Sequence, residues 1–278
     1  MFHGNVPASE FERMRGPHQE GSLALPVKYG YCLVGEVVDG EQPGRTVFCL
    51  HPHQSWVCVD AEAVTELPDG LPPARAVLAA NMETALNATW DGRVGPGDRV
   101  VVVGGGVVGC LVAHLCAKIP GTRVQLVDVD GSRGGVASAL GVAFAQPEGV
   151  WTEADVVFHA SASSAGLQTA IDAAGSAARI VELSWYGDRD VVLRLGSRFH
   201  PERLQIVSSQ VGTIPPDRAP RWTYGRRLAV ALELLREDAL DVLISGESAF
   251  DELPSVMSRI LAPASERSEP VLCHRICY

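Results

Sequence analysis

The chain has 278 residues, 46% of them hydrophobic, and a formal net charge of −10. That length exceeds one typical domain and can bury a sizeable core in two lobes. The acidic balance argues against non-specific nucleic-acid binding, since nothing here neutralises phosphates in number. No apolar run approaches the roughly 18 uncharged residues of a membrane span, and Met1 to Arg15 is too polar for a secretory signal. The 7 cysteines form no Cys-x-x-Cys pair, and an odd count fits a reduced, cytoplasmic protein better than a disulfide framework.

Residues 1–93 have the texture of an irregular β-rich lobe. Val34-Gly35-Glu36-Val37-Val38, Arg45 to Leu50 and Trp56-Val57-Cys58-Val59 read as short strands between Gly, Pro and Asp turns. Pro68-Asp69-Gly70-Leu71-Pro72-Pro73 breaks the chain before a helical stretch from Ala74 to Trp90. Arg93 to Asp98 is a tight turn into the next lobe.

The middle of the chain, residues 94–213, opens with four valines, Val100 to Val103, followed by Gly104-Gly105-Gly106-Val107-Val108-Gly109. Leu111, Val112, Leu115, Cys116 and Ile119 then recur at helical spacing, Pro120-Gly121 stops the helix, and Val124 to Val127 forms a second strand ending on Asp128. This strand, glycine turn, helix and strand suit a dinucleotide. Gly104 permits the sharp turn, Gly106 lets the backbone approach a pyrophosphate, and Gly109 lets helix and strand pack closely. The N–H groups at Val107 and Val108 face the phosphates at the positive end of the helix dipole. Asp128, about twenty residues on, would hold the ribose hydroxyls of NAD and repel the 2′-phosphate of NADP. Arg133 could answer such a phosphate, but Asp128 and Asp130 weigh against it. The alternatives are a methyltransferase, whose similar fold also places an acid after its second strand, and a simple turn at Asp128-Val129-Asp130-Gly131.

Further strands are expected at Asp155 to His159, Arg179 to Leu183 and Leu204 to Val207, with a helix from Ser164 to Ala174. The alternation implies a doubly wound parallel sheet covered by helices, with Ala160, Ser161 and Ser184 among the residues at the ligand-binding ends of its strands. His159 reads more naturally as a satisfied core histidine than as a catalyst. Residues 214–278 form a return segment, with an amphipathic helix from Tyr224 to Arg236 and a last stretch from Val256 to Leu261.

This plan resembles the medium-chain dehydrogenase/reductase family. The likeness rests on Leu67-Pro68-Asp69-Gly70, Gly95-Pro96-Gly97-Asp98-Arg99-Val100-Val101-Val102, Ala154-Asp155-Val156-Val157-Phe158, Ala178-Arg179-Ile180-Val181, Ile206 to Gly212 and Leu243-Ile244-Ser245. Phe48 to His53 and Asn81 to Asn87 are similar to stretches of the group around bacteriochlorophyllide a dehydrogenase. The resemblance implies an α/β Rossmann domain plus a smaller, shortened GroES-like lobe, a nicotinamide cofactor, a small-molecule substrate and a homodimer paired through the edge strand at Leu204 to Val211. Either the first lobe is naturally reduced or the native chain is longer. Where zinc members carry a Gly-His-Glu motif this chain has Gly30-Tyr31-Cys32, and the third-ligand place falls near Ala80. The implied enzyme is therefore zinc-independent, with no metal ligands assigned.

Without a metal, another group must exchange the substrate's proton. Tyr31, in the metal-ligand place, is the first candidate, against a half-buried aromatic at a strand start. His51 and His53 flank Pro52 and could relay a proton, or could simply be surface histidines. Glu83 lies either on the solvated face of its helix or toward the cleft. Thr84 resembles the family's hydroxyl beside the nicotinamide, with Asn87 as a helper. The leading expectation is an NAD-dependent oxidoreductase interconverting an alcohol and a carbonyl on a small or medium molecule. The rivals are a reductase of enones or quinones, which would favour NADPH, and a dinucleotide-binding protein without turnover.

Overall fold

The computed structural model describes residues 30–187, 189–260, 262 and 270–278. Met1 to Arg15 and Leu261 lie outside them. The chain divides into two compact units, residues 1–82 with 224–278, and residues 83–223.

In the first unit, β1 (Leu33–Glu36), β2 (Thr46–Cys49) and β3 (Val64–Glu66) form an antiparallel sheet in that order. The segment Trp56 to Val59 is not a strand, and among the described residues Trp56 is 71% exposed. The helical stretch is two pieces, α1 (Pro73–Ala76) and α2 (Ala79–Gly92). The proline-rich approach starts α1, with Pro73 at a first-turn position where its missing N–H costs nothing. Within α1, Arg75 is only 2% exposed. Its guanidinium donates to both oxygens of Asp241 at 2.7 and 2.8 Å, to Asp238 at 2.8 Å, and to the carbonyls of Leu235 and Arg236. This one side chain pins the return segment to the first lobe's own chain.

The second unit carries the expected parallel sheet. Its strands are β4 (Arg99–Val103), β5 (Arg123–Val127), β6 (Ala143–Ala145), β7 (Ala154–His159), β8 (Ala174–Glu182) and β9 (Gln205–Ser208), in the order β6-β5-β4-β7-β8-β9. Helices α3 (Val107–Ala117), α4 (Arg133–Ala139) and α5 (Ser164–Ala173) make the crossovers. Val101, Val103, Val157, Ile171 and Ile180 belong to one buried cluster between sheet and helix, as near-continuous apolar strands require. The strand order reverses between β4 and β7, which is where ligands of such sheets bind.

The return segment supplies α6 (Tyr224–Leu234), β10 (Ile244–Ala249), α7 (Leu253–Ile260) and β11 (Cys273–Cys277) to the first unit. β10 and β11 pair in parallel, and Val256 and Ile260 of α7 pack on Ile276. Among the described residues no helix is long and apolar enough to cross a membrane.

Candidate functional site

The turn after β4 has the geometry that its glycines predict. Gly104 takes φ +112°, and a Cβ there would meet the Ala160 carbonyl carbon and Ser161 nitrogen at 2.7 Å. A Cβ on Gly109 would lie 1.8 Å from the Gly104 oxygen, so only hydrogen lets α3 start this close to the strand. Gly106 is the cap residue before α3, so the N–H groups of Val107 and Val108 belong to the helix's first turn, which lacks intrahelical acceptors. Asp128 is held from two sides. Gly105 N–H donates to its Oδ2 at 2.6 Å, and Asp130 N–H donates to its Oδ1 at 2.8 Å. The turn and the acid are thus one hydrogen-bonded unit, although 23 residues separate them. Arg133 is 9% exposed and its Nε lies 3.3 Å from the Asp130 carboxylate, so a neighbouring acid already engages it.

On the other side of the reversal point, Ala160 and Ser161 follow β7 and pack against Gly104. His159 is 0% exposed, and its Nδ1 lies 2.8 and 2.9 Å from the two oxygens of Glu182. A carboxylate can only accept, so Nδ1 carries a proton, and Nε2 lies 2.7 Å from Ser161 Oγ. Ser184 N–H and Tyr186 O–H also donate to Glu182, at 2.7 and 3.1 Å. Burial, and after it the charge of Glu182, pushes the Tyr186 hydroxyl well above the ordinary phenol range, so it stays a donor. Ala162 takes φ +51°, rare for a residue with a side chain, and its N–H donates to Ser184 Oγ at 3.0 Å. A Cβ on Gly166 would lie 2.0 Å from Ser161 Oγ, so α5 leaves space for that hydroxyl.

The sequence had named Ser161 and Ser184 but not Glu182, and it left His159 as a core residue. The available signal was the parallel register: His159 and Glu182 are direct partners on β7 and β8.

In the first unit the two candidate histidines part company. His51 Nδ1 lies 2.8 Å from the carbonyl of its neighbour Pro52, whereas His53 is 5% exposed with Nδ1 2.8 Å from Tyr278 Oη. A surface reading therefore fails for His53, and Gly30 is packed against its ring. Tyr31 is 47% exposed, and the Asn81 amide donates toward its hydroxyl at 3.5 Å. The two places where the resemblance puts zinc ligands, Tyr31 and Ala80, thus offer a phenol beside a methyl group. That donor set does not fit tetrahedral zinc, and among the described residues no three His, Cys, Asp or Glu side chains converge as a metal group.

In the second unit Glu83 is 8% exposed on α2, so it does not sit on a solvated face, and Thr84 follows it half-buried. Asn87 donates to Asp91, which also accepts from Ser209 Oγ at 2.7 Å.

No protein-family model matches the chain. It is 32% identical over 138 residues to a 2-dehydro-3-deoxy-L-galactonate 5-dehydrogenase of Pseudoalteromonas atlantica, a match covering 46% of this chain and 40% of that enzyme. It is 22% identical to the (R,R)-butanediol dehydrogenase of Bacillus subtilis over 85% of this chain and 78% of the relative. The crystal structure of 2R,3R-butanediol dehydrogenase from the same species superposes with a TM-score of 0.67 at 20% identity, covering 88% of this chain and 82% of that one. A protein described as a zinc-binding dehydrogenase, from Sinorhizobium meliloti and bound to NADP, gives a TM-score of 0.73 at 19% identity, covering 94% and 86%. An Escherichia coli alcohol dehydrogenase complexed with NADH gives 0.63 at 17%, covering 79% and 64%. The chain is thus similar to dehydrogenases of alcohols and polyols, and it shares the fold of these solved structures.

Proposed function

We propose that this chain is a nicotinamide-dependent oxidoreductase that interconverts an alcohol and a carbonyl on a small polyol-like molecule, using NAD and no zinc. The observation that carries the reading is the Gly104 to Gly109 turn hydrogen-bonded to Asp128 through Gly105. The first-turn N–H groups of α3 and the glycine surface hold a pyrophosphate, and Asp128 orients the adenosine ribose. When bound, the coenzyme supplies a hydride acceptor or donor. Asp128 and Asp130 favour NAD over NADP, and Arg133, engaged by Asp130, does little to offset them.

Thr84 is assigned to the nicotinamide side, with the buried Glu83 beside it. Tyr31 is the proposed proton partner of the substrate oxygen, with His51 and His53 as the imidazoles that can serve it. Zinc independence is supported by the phenol and methyl at Tyr31 and Ala80. A homodimer through β9 is supported by its place as the sheet's last strand, an edge that invites pairing. The 7 free cysteines support a cytoplasmic setting.

The test is a fluorescence titration with NADH and with NADPH, followed by a panel of polyols and their ketones. Tighter binding of NADH by about tenfold or more, and turnover unaffected by chelators, are the expected results. Preference for NADPH would overturn the role of Asp128 and favour the double-bond reductase. Binding of neither would overturn the whole reading.

A further inference from the structure

The strand order divides the crevice. Asp128 at the end of β5 marks the adenosine side, the turn after β4 is the pyrophosphate site, and the nicotinamide half is left to β7 and β8. On that side lies a buried titratable pair with no part in the proposed chemistry. His159 is wholly buried, Glu182 has a side chain 13% exposed, and the pair reaches the surface through the exposed Ser161 hydroxyl.

We propose that His159 and Glu182 form a proton-linked site that matches the charge of the coenzyme's redox state. This rests on the nicotinamide reading above. With His159 neutral the pair carries one negative charge, which complements the positive ring of NAD. With His159 protonated the pair is neutral, which suits the uncharged ring of NADH. The same imidazole therefore takes up one proton when the oxidised coenzyme is replaced by the reduced one. No bond other than N–H changes. The proton enters at Nε2 through Ser161 Oγ, and Nδ1–H stays on Glu182.

Three features make the pair a switch in place of a passive core contact. Glu182 accepts from His159, Ser184 and Tyr186, which holds its carboxylate in place beside the imidazole. Ser161 gives the buried Nε2 a route for exchange, with Ser163 Oγ 3.0 Å further out. The space at Gly166 preserves that route. The titratable groups facing His159 are Glu182 from β8 and Tyr186 from the segment after it. β4 presents Val103, the cap of α5 presents Ser163 and its first turn Gly166, none of them charged. Arg189 acts on Tyr186.

Linkage requires that a difference of one bound proton change the ratio of the two affinities by up to about tenfold per pH unit across the titration. Dissociation constants for NAD and NADH are measured by calorimetry from about pH 5.5 to about pH 9, across the range in which histidines change charge. The expected result is that Kd(NAD)/Kd(NADH) falls as pH rises, by roughly fivefold or more overall. Calorimetry in buffers of different ionisation enthalpy should show proton release on NAD binding at the midpoint. His159→Asn should flatten the ratio to within about twofold. Should that variant fail to fold, Glu182→Gln carries the test: it keeps an acceptor for Nδ1–H, removes the counter-charge, and should move the fall to lower pH. A wild-type ratio independent of pH, or a fall that survives His159→Asn, overturns the proposal while leaving nicotinamide binding intact. Binding of neither coenzyme at any pH removes the reading beneath it as well.

Discussion

Two buried imidazoles, one in each unit, show how the hydrogen-bond partner decides what a histidine can do. His159 and His53 are 0% and 5% exposed, and each holds one partner 2.8 Å from Nδ1. For His159 that partner is the Glu182 carboxylate, which accepts from Nδ1. For His53 it is the phenol of Tyr278, whose hydroxyl burial pushes up to about 12, so it brings no opposing charge. Similar burial and equal distance therefore set a carboxylate beside one imidazole and a phenol beside the other. What differs is also where each opens: His159 reaches the sheet's reversal point through Ser161, while His53 is packed against Gly30 and Tyr278.

The largest effect that could break this contrast falls on the second unit alone. Gly106→Val places a branched side chain where the pyrophosphate must approach, and should weaken NADH binding by roughly 100-fold or more. Thermal unfolding should change far less, since Gly106 lies at a helix cap with extended dihedrals that valine can adopt. Retained binding would mean that the crevice is not the coenzyme site and that His159 has no nicotinamide to sense.

The first unit has its own buried charge, and it is built differently. Arg75 is buried, but its partners Asp238 and Asp241 have side chains 94% and 63% exposed, unlike Glu182. Arg75→Met should cost about 2–4 kcal/mol in urea unfolding, through two orphaned carbonyls more than through the solvated acids. The hydrogen bond from Arg75 holds the Asp241 carboxyl below the usual carboxylate range, partly offset by burial. A lowered value means that its stabilisation is present at neutral pH and is lost as pH falls through that value. A variant as stable as wild type would show that the return segment is held by α7 and β11 alone.

Turnover offers a third test. With a substrate from the polyol panel, Tyr31→Phe should cut kcat by roughly 100-fold and leave NADH affinity within about twofold. Unchanged turnover would remove Tyr31 from the chemistry. Tyr278→Phe sharpens the comparison of imidazoles more gently. It should cost about 1 kcal/mol of stability and leave the pH dependence of the coenzyme ratio as in wild type. A changed pH dependence would place His53, and not only His159, in the linkage.

What was legible in the sequence was what is local in the chain. The strand, glycine turn, helix and acid from Val100 to Asp128 can be read because each residue's neighbours in sequence are its neighbours in space. The partnership of His159 with Glu182 could not be read so directly, because it depends on the register of two strands whose partners lie 23 residues apart. Arg75 was hidden for the same reason, its acids lying more than 160 residues away. Trp56 to Val59 differs in the opposite direction: its composition suits a strand, yet it forms none and Trp56 is exposed among the described residues. β11 went unrecognised because its short run, Cys273–Cys277, is stabilised by parallel pairing with β10 and not by its own pattern.

The smallest effect concerns Asp91, at the end of α2, and it tests whether burial or hydrogen bonding dominates a carboxylate in the second unit. Burial pushes its pKa above the ordinary value, opposed by Ser209, Arg179, Arg93 and Asn87. A raised value means that the folded state prefers the protonated acid, so the group favours folding at low pH and loses that contribution as pH rises through its folded value. Asp91→Asn removes the charge and keeps an oxygen to accept from Ser209. It should therefore be neutral or slightly stabilising near neutral pH, by less than about 1 kcal/mol, with no gain in acid. Urea unfolding at about pH 4 and about pH 7 measures the difference. Destabilisation at neutral pH would mean that the charged hydrogen bonds from Ser209 and Asn87 outweigh the burial.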